Sequence, residues 1–211
     1  MLHLITSAFY RDFADALGEM LQVRARVFGG RLGWNVSVVD GLEKDRYDDL
    51  EPVYILQRDR DGRVCGCVRL LPTTGPTMLC DTFPQLLHGA PMPRDARIWE
   101  TSRFALDAPA ASPLGAGGTA VLTYEMFAGV VEFGLANKLT QIVTVTDARI
   151  ERILRRANWP LQRIGDAVEI GDTRAIAGLL DISWDVLARV RSRGGLKGPV
   201  LWAPVSPTPS V

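Results

Sequence analysis

The stretch of sequence that organises this chain reads Arg97-Ile98-Trp99-Glu100-Thr101-Ser102-Arg103-Phe104-Ala105-Leu106. Its residues suit a strand, and strand alternation assigns one face to Ile98, Glu100, Ser102 and Phe104 and the other to Trp99, Thr101, Arg103 and Ala105. Glu100 and Arg103 lie in the middle of this strand, where an unpaired charge is costly to bury. The stretch therefore predicts charged partners elsewhere in the chain, as a structural ion pair or as part of a functional site.

Helices and short strands alternate around this stretch. Apolar residues at helical spacing predict helices over residues 8–28, 119–137 and 147–158, and Ser183 is expected to cap a last helix. Strands are predicted over residues 52–57, 63–71, 140–146, 161–164 and 174–182. We expect Gly29-Gly30 to end the first helix, and we interpret residues 31–49 as an irregular surface loop.

This order of elements predicts one α/β domain over residues 1–203. Its architecture is expected to be an α-β-α sandwich with a mixed, mainly antiparallel sheet. The segment 204–211 is rich in proline and serine, and we expect it to fray.

Composition excludes several classes of function. The 24 basic and 24 acidic side chains balance, which argues against a nucleic-acid binder. Two histidines and three cysteines form no ligand pattern and no disulfide framework, so no metal site is expected. No segment is apolar enough to span a bilayer, and the N-terminus lacks a signal-peptide pattern. The sequence thus predicts a cytoplasmic protein with no membrane attachment.

A resemblance to a known family rests on nine residues in order. The matching blocks are Val23-Arg24-Ala25-Arg26-Val27-Phe28, Trp34, Asp45-Arg46-Tyr47-Asp48, Val68-Arg69-Leu70-Leu71-Pro72, Phe83-Pro84 and Trp99-Glu100-Thr101-Ser102-Arg103-Phe104. Together they resemble the acyl-homoserine-lactone synthases, which make the autoinducers of bacterial quorum sensing. The run Ile142-Val143-Thr144-Val145-Thr146 extends the likeness into the C-terminal half.

The resemblance implies an N-acetyltransferase-like fold and a reaction between two substrates. The amine of S-adenosylmethionine attacks an acyl thioester, carried by acyl carrier protein or coenzyme A. The substrate's carboxylate then displaces methylthioadenosine to close the lactone. S-adenosylmethionine is a substrate here, so no cofactor is implied.

Roles for individual residues follow from the same resemblance. A network of three cations and three anions is expected from Arg24, Asp45, Asp48, Arg69, Glu100 and Arg103. Within it Glu100, Arg103 and Arg69 are the predicted catalytic residues, with Glu100 as general base. The predicted S-adenosylmethionine site comprises Arg24, Phe28, Trp34, Asp45, Asp48, Phe83 and Ser102.

Two further sites concern the acyl donor. The acyl pocket is expected to include Met126, Val145 and Thr146, whose hydroxyl is placed to contact a 3-oxo group. Carrier docking is expected on a basic helix through Arg149, Arg152, Arg155 and Arg156, because acyl carrier proteins are acidic. A solvated helix face explains the same arginines, and core packing explains the apolar residues.

Two other functions fit parts of the pattern. One is another coenzyme A-dependent N-acyltransferase of the same fold, and the other is a non-catalytic module that binds an acyl ligand. The sequence does not distinguish the two acyl donors, and it does not give the acyl length, the oxidation at the 3-position, the oligomeric state or the cognate receptor.

Overall fold

The computed structural model describes residues 1–107 and 112–204. Its strands within those ranges are β1 (Leu2–Ile5), β2 (Val38–Val39), β3 (Leu42–Glu43), β4 (Val53–Arg58), β5 (Val64–Pro72), β6 (Ile98–Leu106), β7 (Gln141–Asp147), β8 (Gln162–Arg163), β9 (Val168–Ile170), β10 (Thr173–Asp181) and β11 (Leu201–Trp202). The main sheet has the order β11-β1-β4-β5-β6-β7-β10-β8, with β9 beside β10. Its pairs are antiparallel except β1 with β11 and β6 with β7, so the predicted mixed, mainly antiparallel sheet is confirmed.

Helices cover both faces of this sheet. The α-helices are α1 (Ala14–Arg24), α2 (Met78–Asp81), α3 (Val121–Ala136), α4 (Ala148–Arg156) and α5 (Trp184–Gly194). Ile55 of β4 packs into a core cluster with residues of α3 and α5, while its neighbours Tyr54 and Leu56 pack into a cluster with α1. This alternation along one strand produces the α-β-α sandwich that the sequence predicts. No helix in the described ranges is long and apolar enough to cross a membrane.

The sheet opens in its middle, between β6 and β7. These two strands pair in parallel from Ile98 with Gln141 as far as Thr101 with Thr144. Beyond that point β6 continues against β5, and β7 continues against β10. The carboxyl half of β6, which carries Ser102 and Arg103, therefore borders an opening in the sheet.

A β-bulge at Arg103 changes the faces predicted for β6. The register against β5 shifts between the pairs Arg69–Ser102 and Cys67–Ala105, and Arg103 has a positive φ of 53°. A bulge adds one residue to a strand and so reverses the alternation beyond it. The side chain of Arg103 thus joins the face of Ser102, and Phe104 packs against Phe127 of α3. The predicted placement of Arg103 and Phe104 is wrong for this reason.

The first helix also differs from its prediction. The segment Ala25–Arg31 continues α1 as a π-helix through both glycines, and the Leu32 amide donates to the Val27 carbonyl at 2.9 Å. Val27 and Phe28 are buried in this segment, which holds it against the core. Gly29-Gly30 therefore does not end the helix.

The region predicted as an irregular loop contains regular structure. Strands β2 and β3 form a hairpin whose turn residues Asp40 and Gly41 both have positive φ, as a tight hairpin turn requires. A short 3₁₀-helix, Arg46–Leu50, follows and is capped by Asp45. The predicted tail lies outside the described residues from 205 onward.

Candidate functional site

Six charged side chains, three of them buried and three half-buried, form a closed ring of alternating charge beside the opening in the sheet. Its members, which we call the ion ring, are Arg24, Glu43, Arg103, Asp45, Arg69 and Asp48. The nitrogen–oxygen distances around it are 2.5 Å (24–43), 3.0 Å (43–103), 2.7 Å (103–45), 2.5 Å (45–69), 2.8 Å (69–48) and 2.8 Å (48–24). Every ion contacts two of opposite sign, so each buried charge is compensated.

Neighbouring elements hold the ring in place. Asp48 accepts a hydrogen bond from the Tyr54 hydroxyl at 2.6 Å, and Ser102 Oγ accepts one from Arg69 Nε at 3.0 Å. Burial alone would raise the pKa of Asp48, but hydrogen bonds and charge from Arg24, with the charge of Arg69, lower it far below its usual value. Asp48 is therefore ionised at neutral pH.

Glu100 lies outside the ring, contrary to its predicted place in the network. Its two carboxylate oxygens accept hydrogen bonds from the amides of Met78 and Leu79, each at 2.8 Å. These amides begin α2, where helix N–H groups have no partner within the helix. Glu100 is 1 % exposed, and burial raises its pKa although the two N–H groups oppose that shift.

Glu43 supplies the third anion of the ring. Its carboxylate is fully buried between Arg24 and Arg103. The sequence interpretation placed Glu43 within the irregular surface loop over residues 31–49 and gave it no role. The Asp40-Gly41 turn signal could have identified it, because a tight hairpin returns the chain and places Glu43 opposite Val38.

Aromatic side chains line one side of the ring. The rings of Phe28 and Trp34 stack with centroids 5.2 Å apart, and the Arg103 guanidinium lies 5.5 Å from the Phe28 centroid. Trp34 is 37 % exposed, so part of its ring is free to contact a ligand. Phe83 packs in a small cluster with Tyr47 and Met78.

A polar cavity of about 600 Å³ opens beside the ring. Its lining residues are Asn35, Val36, Ser37, Glu43, Lys44, Asp45, Arg46, Asp49 and Arg103. Arg103 and Asp45 are the most exposed ring members, with side chains 11 % and 18 % exposed, whereas the other four are at most 3 % exposed. The ring therefore meets the cavity at the Arg103–Asp45 pair.

The structure does not gather the predicted acyl-pocket residues into one wall. Met126 is fully buried in the core formed by α3 and α5. Val145 packs into a separate cluster with Leu79 and Val143. Thr146, one position further along β7, is half-buried opposite Ile176. Their assignment to an acyl pocket stays a prediction.

The four arginines predicted for carrier docking share the exposed surface of α4. All of Arg149, Arg152, Arg155 and Arg156 are exposed, and none forms an ion pair with the described residues. The acid on this helix, Glu151, instead pairs with Arg163 at 2.6 Å. The helix thus presents uncompensated positive charge to solvent.

Comparison with known proteins identifies the family. The family model described as autoinducer synthase matches residues 9–190. The chain belongs to the autoinducer synthase family. Among its relatives, a probable acyl-homoserine-lactone synthase of Sinorhizobium fredii is 49 % identical over 178 residues, which cover 84 % of this chain and 86 % of the relative.

Solved structures of the family share its architecture. The acyl-homoserine-lactone synthase LasI superposes with a TM-score of 0.80 at 37 % identity, over 90 % of this chain and 93 % of LasI. BjaI, a coenzyme A-dependent synthase solved with S-adenosylmethionine and isopentyl-CoA, has a TM-score of 0.87 at 25 % identity, over 99 % of this chain and 95 % of BjaI. A Lactobacillus plantarum structure assigned to the N-acetyltransferases has a TM-score of 0.55 at 11 % identity, over 86 % of this chain and 99 % of that one, and it supports the predicted fold alone.

Proposed function

We propose that this autoinducer synthase makes an acyl-homoserine lactone from S-adenosylmethionine and an acyl thioester. The substrate amine attacks the thioester carbonyl, forms an amide and releases the thiol. The substrate carboxylate then attacks the carbon next to the sulfonium, closes the lactone and releases methylthioadenosine. The observation that carries the proposal is the ion ring, which meets a polar cavity at its one accessible pair.

The Arg103–Asp45 pair suits the amino-acid end of S-adenosylmethionine. That end carries an ammonium and a carboxylate on one carbon atom, so it presents both charges within a few ångströms. Arg103 can receive the carboxylate through its planar guanidinium, and Asp45 can receive the ammonium. Each charge of the ligand would replace one partner of the pair, so the ring stays neutral when the ligand binds. The neighbouring faces of Trp34 and Phe28 suit the sulfonium and the adenine.

Glu100 is the proposed general base. An ammonium has to lose a proton before it can attack, and a carboxylate with a raised pKa is a stronger base than an ordinary one. Each oxygen of Glu100 accepts one N–H and keeps a further lone pair. The proton reaches it directly or through a water molecule.

The thioester donor is an acyl carrier protein or coenzyme A. The uncompensated arginines of α4 support docking of a carrier, whose acidic surface they complement. Met126, Val145 and Thr146 remain the proposed contacts of the acyl chain, with the Thr146 hydroxyl available to a 3-oxo group. The BjaI structure shows that a relative accepts coenzyme A, so both donors belong in the assay.

Release of methylthioadenosine tests the proposed function. The purified chain is incubated with S-adenosylmethionine and either acyl-carrier protein or acyl-CoA of several chain lengths. We expect methylthioadenosine and a lactone in equal amounts, measured by chromatography and mass spectrometry. An N-acyl product without methylthioadenosine would indicate a different N-acyltransferase, and acyl binding without any product would indicate a binding module.

Reversing charge on α4 tests carrier docking. We expect Arg152→Glu with Arg155→Glu to raise KM for the acyl carrier protein and to weaken its dependence on salt, because attraction between exposed charges is screened by ions. KM for S-adenosylmethionine should not change. The matched control replaces Arg174 and Arg189, two exposed arginines of β10 and α5, with glutamate and so makes the same change in net charge. An equal effect of both double variants on carrier KM would reject α4 as the docking surface.

A further inference from the structure

The side chain of Met78 lies between the ion ring and Glu100. Its sulfur is 3.2 Å from Arg69 Nη2 and 3.4 Å from Arg103 Nη1, and both nitrogens donate to it. Its backbone amide donates to Glu100 at 2.8 Å. One residue thus contacts two cations of the ring and the proposed base.

A thioether is an unusual partner for two guanidinium groups. Sulfur of this kind is a weak hydrogen-bond acceptor, and methionine more often fills gaps in an apolar core. Met78 is 7 % exposed, so water has little access to replace the sulfur contacts. The two guanidinium groups carry like charge, and an acceptor shared between them fixes their relative positions.

The orientation of Arg103 depends on this contact more than that of Arg69 does. It lies at a β-bulge with positive φ, and it is the most exposed of the three ring cations. Its Nε and Nη2 atoms donate to Glu43, which leaves Nη1 to face the sulfur. The sulfur therefore holds the guanidinium in a fixed rotation at the pair that meets the cavity.

We propose that Met78 is a positioning residue whose thioether sulfur orients Arg69 and Arg103 toward the bound substrate. This inference rests on the proposed function, since its consequence is the alignment of S-adenosylmethionine with Glu100. The sulfur forms no bond to substrate. Its role is to keep the Arg103 guanidinium, which receives the substrate carboxylate, aligned with Glu100, which the amides of α2 hold.

Two substitutions with opposite chemistry distinguish this role from packing. Met78→Leu keeps an apolar side chain of similar size and removes the acceptor. Met78→Gln brings a carbonyl oxygen to the same region and introduces a polar amide into a buried site. A packing role favours leucine over glutamine, whereas a positioning role favours glutamine over leucine.

The matched control is Met20→Leu. Met20 is 1 % exposed in the core cluster beside α1 and has no hydrogen bond to its sulfur among the described residues. It reports the general cost of exchanging a buried methionine for leucine, which is modest in well-packed cores. The three variants and the wild-type chain are compared by melting temperature, by calorimetric Kd for S-adenosylmethionine and by methylthioadenosine release.

We expect Met78→Leu to lower kcat/KM for S-adenosylmethionine about tenfold, because it removes the weak acceptor that Arg69 and Arg103 share, while its melting temperature follows Met20→Leu. Met78→Gln should have a lower Kd for S-adenosylmethionine and a higher kcat/KM than Met78→Leu. Activity of Met78→Leu within twofold of Met20→Leu, or a Met78→Gln variant with a higher Kd and a lower kcat/KM than Met78→Leu, would overturn the positioning role. Wild-type protein that binds S-adenosylmethionine without releasing methylthioadenosine would instead reject the proposed function, and the Kd values would still test Met78.

Discussion

Glu100→Gln should lower kcat by about 10²–10⁴-fold, the contribution of a general base. Glutamine keeps the length of the side chain but cannot take a proton from the substrate ammonium at neutral pH. Initial rates of methylthioadenosine release at saturating concentrations of both substrates measure this effect. Near-normal kcat in folded Glu100→Gln protein would end the assignment of Glu100 as the base.

The structure shows that this substitution also has a structural effect. Both oxygens of Glu100 accept backbone N–H groups of α2, so the amide nitrogen of glutamine would face one of these donors. A buried N–H left without its acceptor costs about 1–3 kcal/mol of stability. Loss of kcat has to be separated from loss of folded protein.

Glu132 offers a matched control for that structural effect. It lies on α3, away from the ring, and its oxygens accept the consecutive amides of Val200 and Leu201, at 3.1 Å and 2.9 Å for Oε2. Because Oε1 of Glu132 also accepts from Arg191 Nη2 at 2.7 Å and from the Val200 amide at 3.2 Å, Glu132→Gln places an amide nitrogen against a donor in either orientation. We expect both variants to melt at lower temperature, but only Glu100→Gln to lose turnover per folded molecule.

The raised pKa of Glu100 fixes the direction of the pH effects. Activity of the wild-type chain should fall as pH falls through this raised pKa, because the protonated carboxyl cannot act as a base. The contribution of Glu100 to the free energy of unfolding changes with pH in the opposite direction. A carboxyl whose folded pKa is raised favours the folded state most at low pH, and that contribution is lost as pH rises from the usual 4.5 to the folded pKa. Both slopes should be absent in Glu100→Gln.

The architecture could be predicted from local patterns in the sequence, and most ring members could be predicted from the resemblance to the synthase family. Alternation identified β6, and the charge of Arg103 in this strand predicted a partner, which the chain supplies at Asp45. Two features could not be predicted in this way. The bulge at Arg103 depends on the pairing of β6 with β5 and leaves no local signal.

The position of Glu100 outside the ring has a similar cause. The helix that binds Glu100 has four residues, Met78–Asp81, which is too short for a helical period to appear in the sequence. Its amides are nevertheless a sufficient partner for a buried carboxylate. Because Glu100 accepts its hydrogen bonds from α2, charge balance of the three ring arginines requires another anion. The β2–β3 hairpin provides it as Glu43.

Asp48→Asn should destabilise the fold by about 3–5 kcal/mol, the cost of removing one partner from a buried ion pair. Asp48 bonds to Arg24 and Arg69, so asparagine would leave two buried guanidinium groups short of negative charge. Urea unfolding at neutral pH, followed by circular dichroism, gives the difference in free energy of unfolding. Asp49→Asn is the control on the same 3₁₀-helix, because the Asp49 side chain is 66 % exposed and its pair with Lys44 lies at the surface. That control should lose less than about 1 kcal/mol.

The effect of Asp48 should also depend on pH in a defined direction. Its folded pKa is lowered, so its contribution is present above the usual value of 3.8 and is lost as pH falls through the folded pKa. The difference between wild-type and Asp48→Asn protein should therefore be largest near neutral pH and shrink below about pH 4. A loss of under about 1 kcal/mol at neutral pH, equal to that of Asp49→Asn, would show that the ring adds little stability. The closed ring would then serve only to hold three guanidinium groups where the substrate binds.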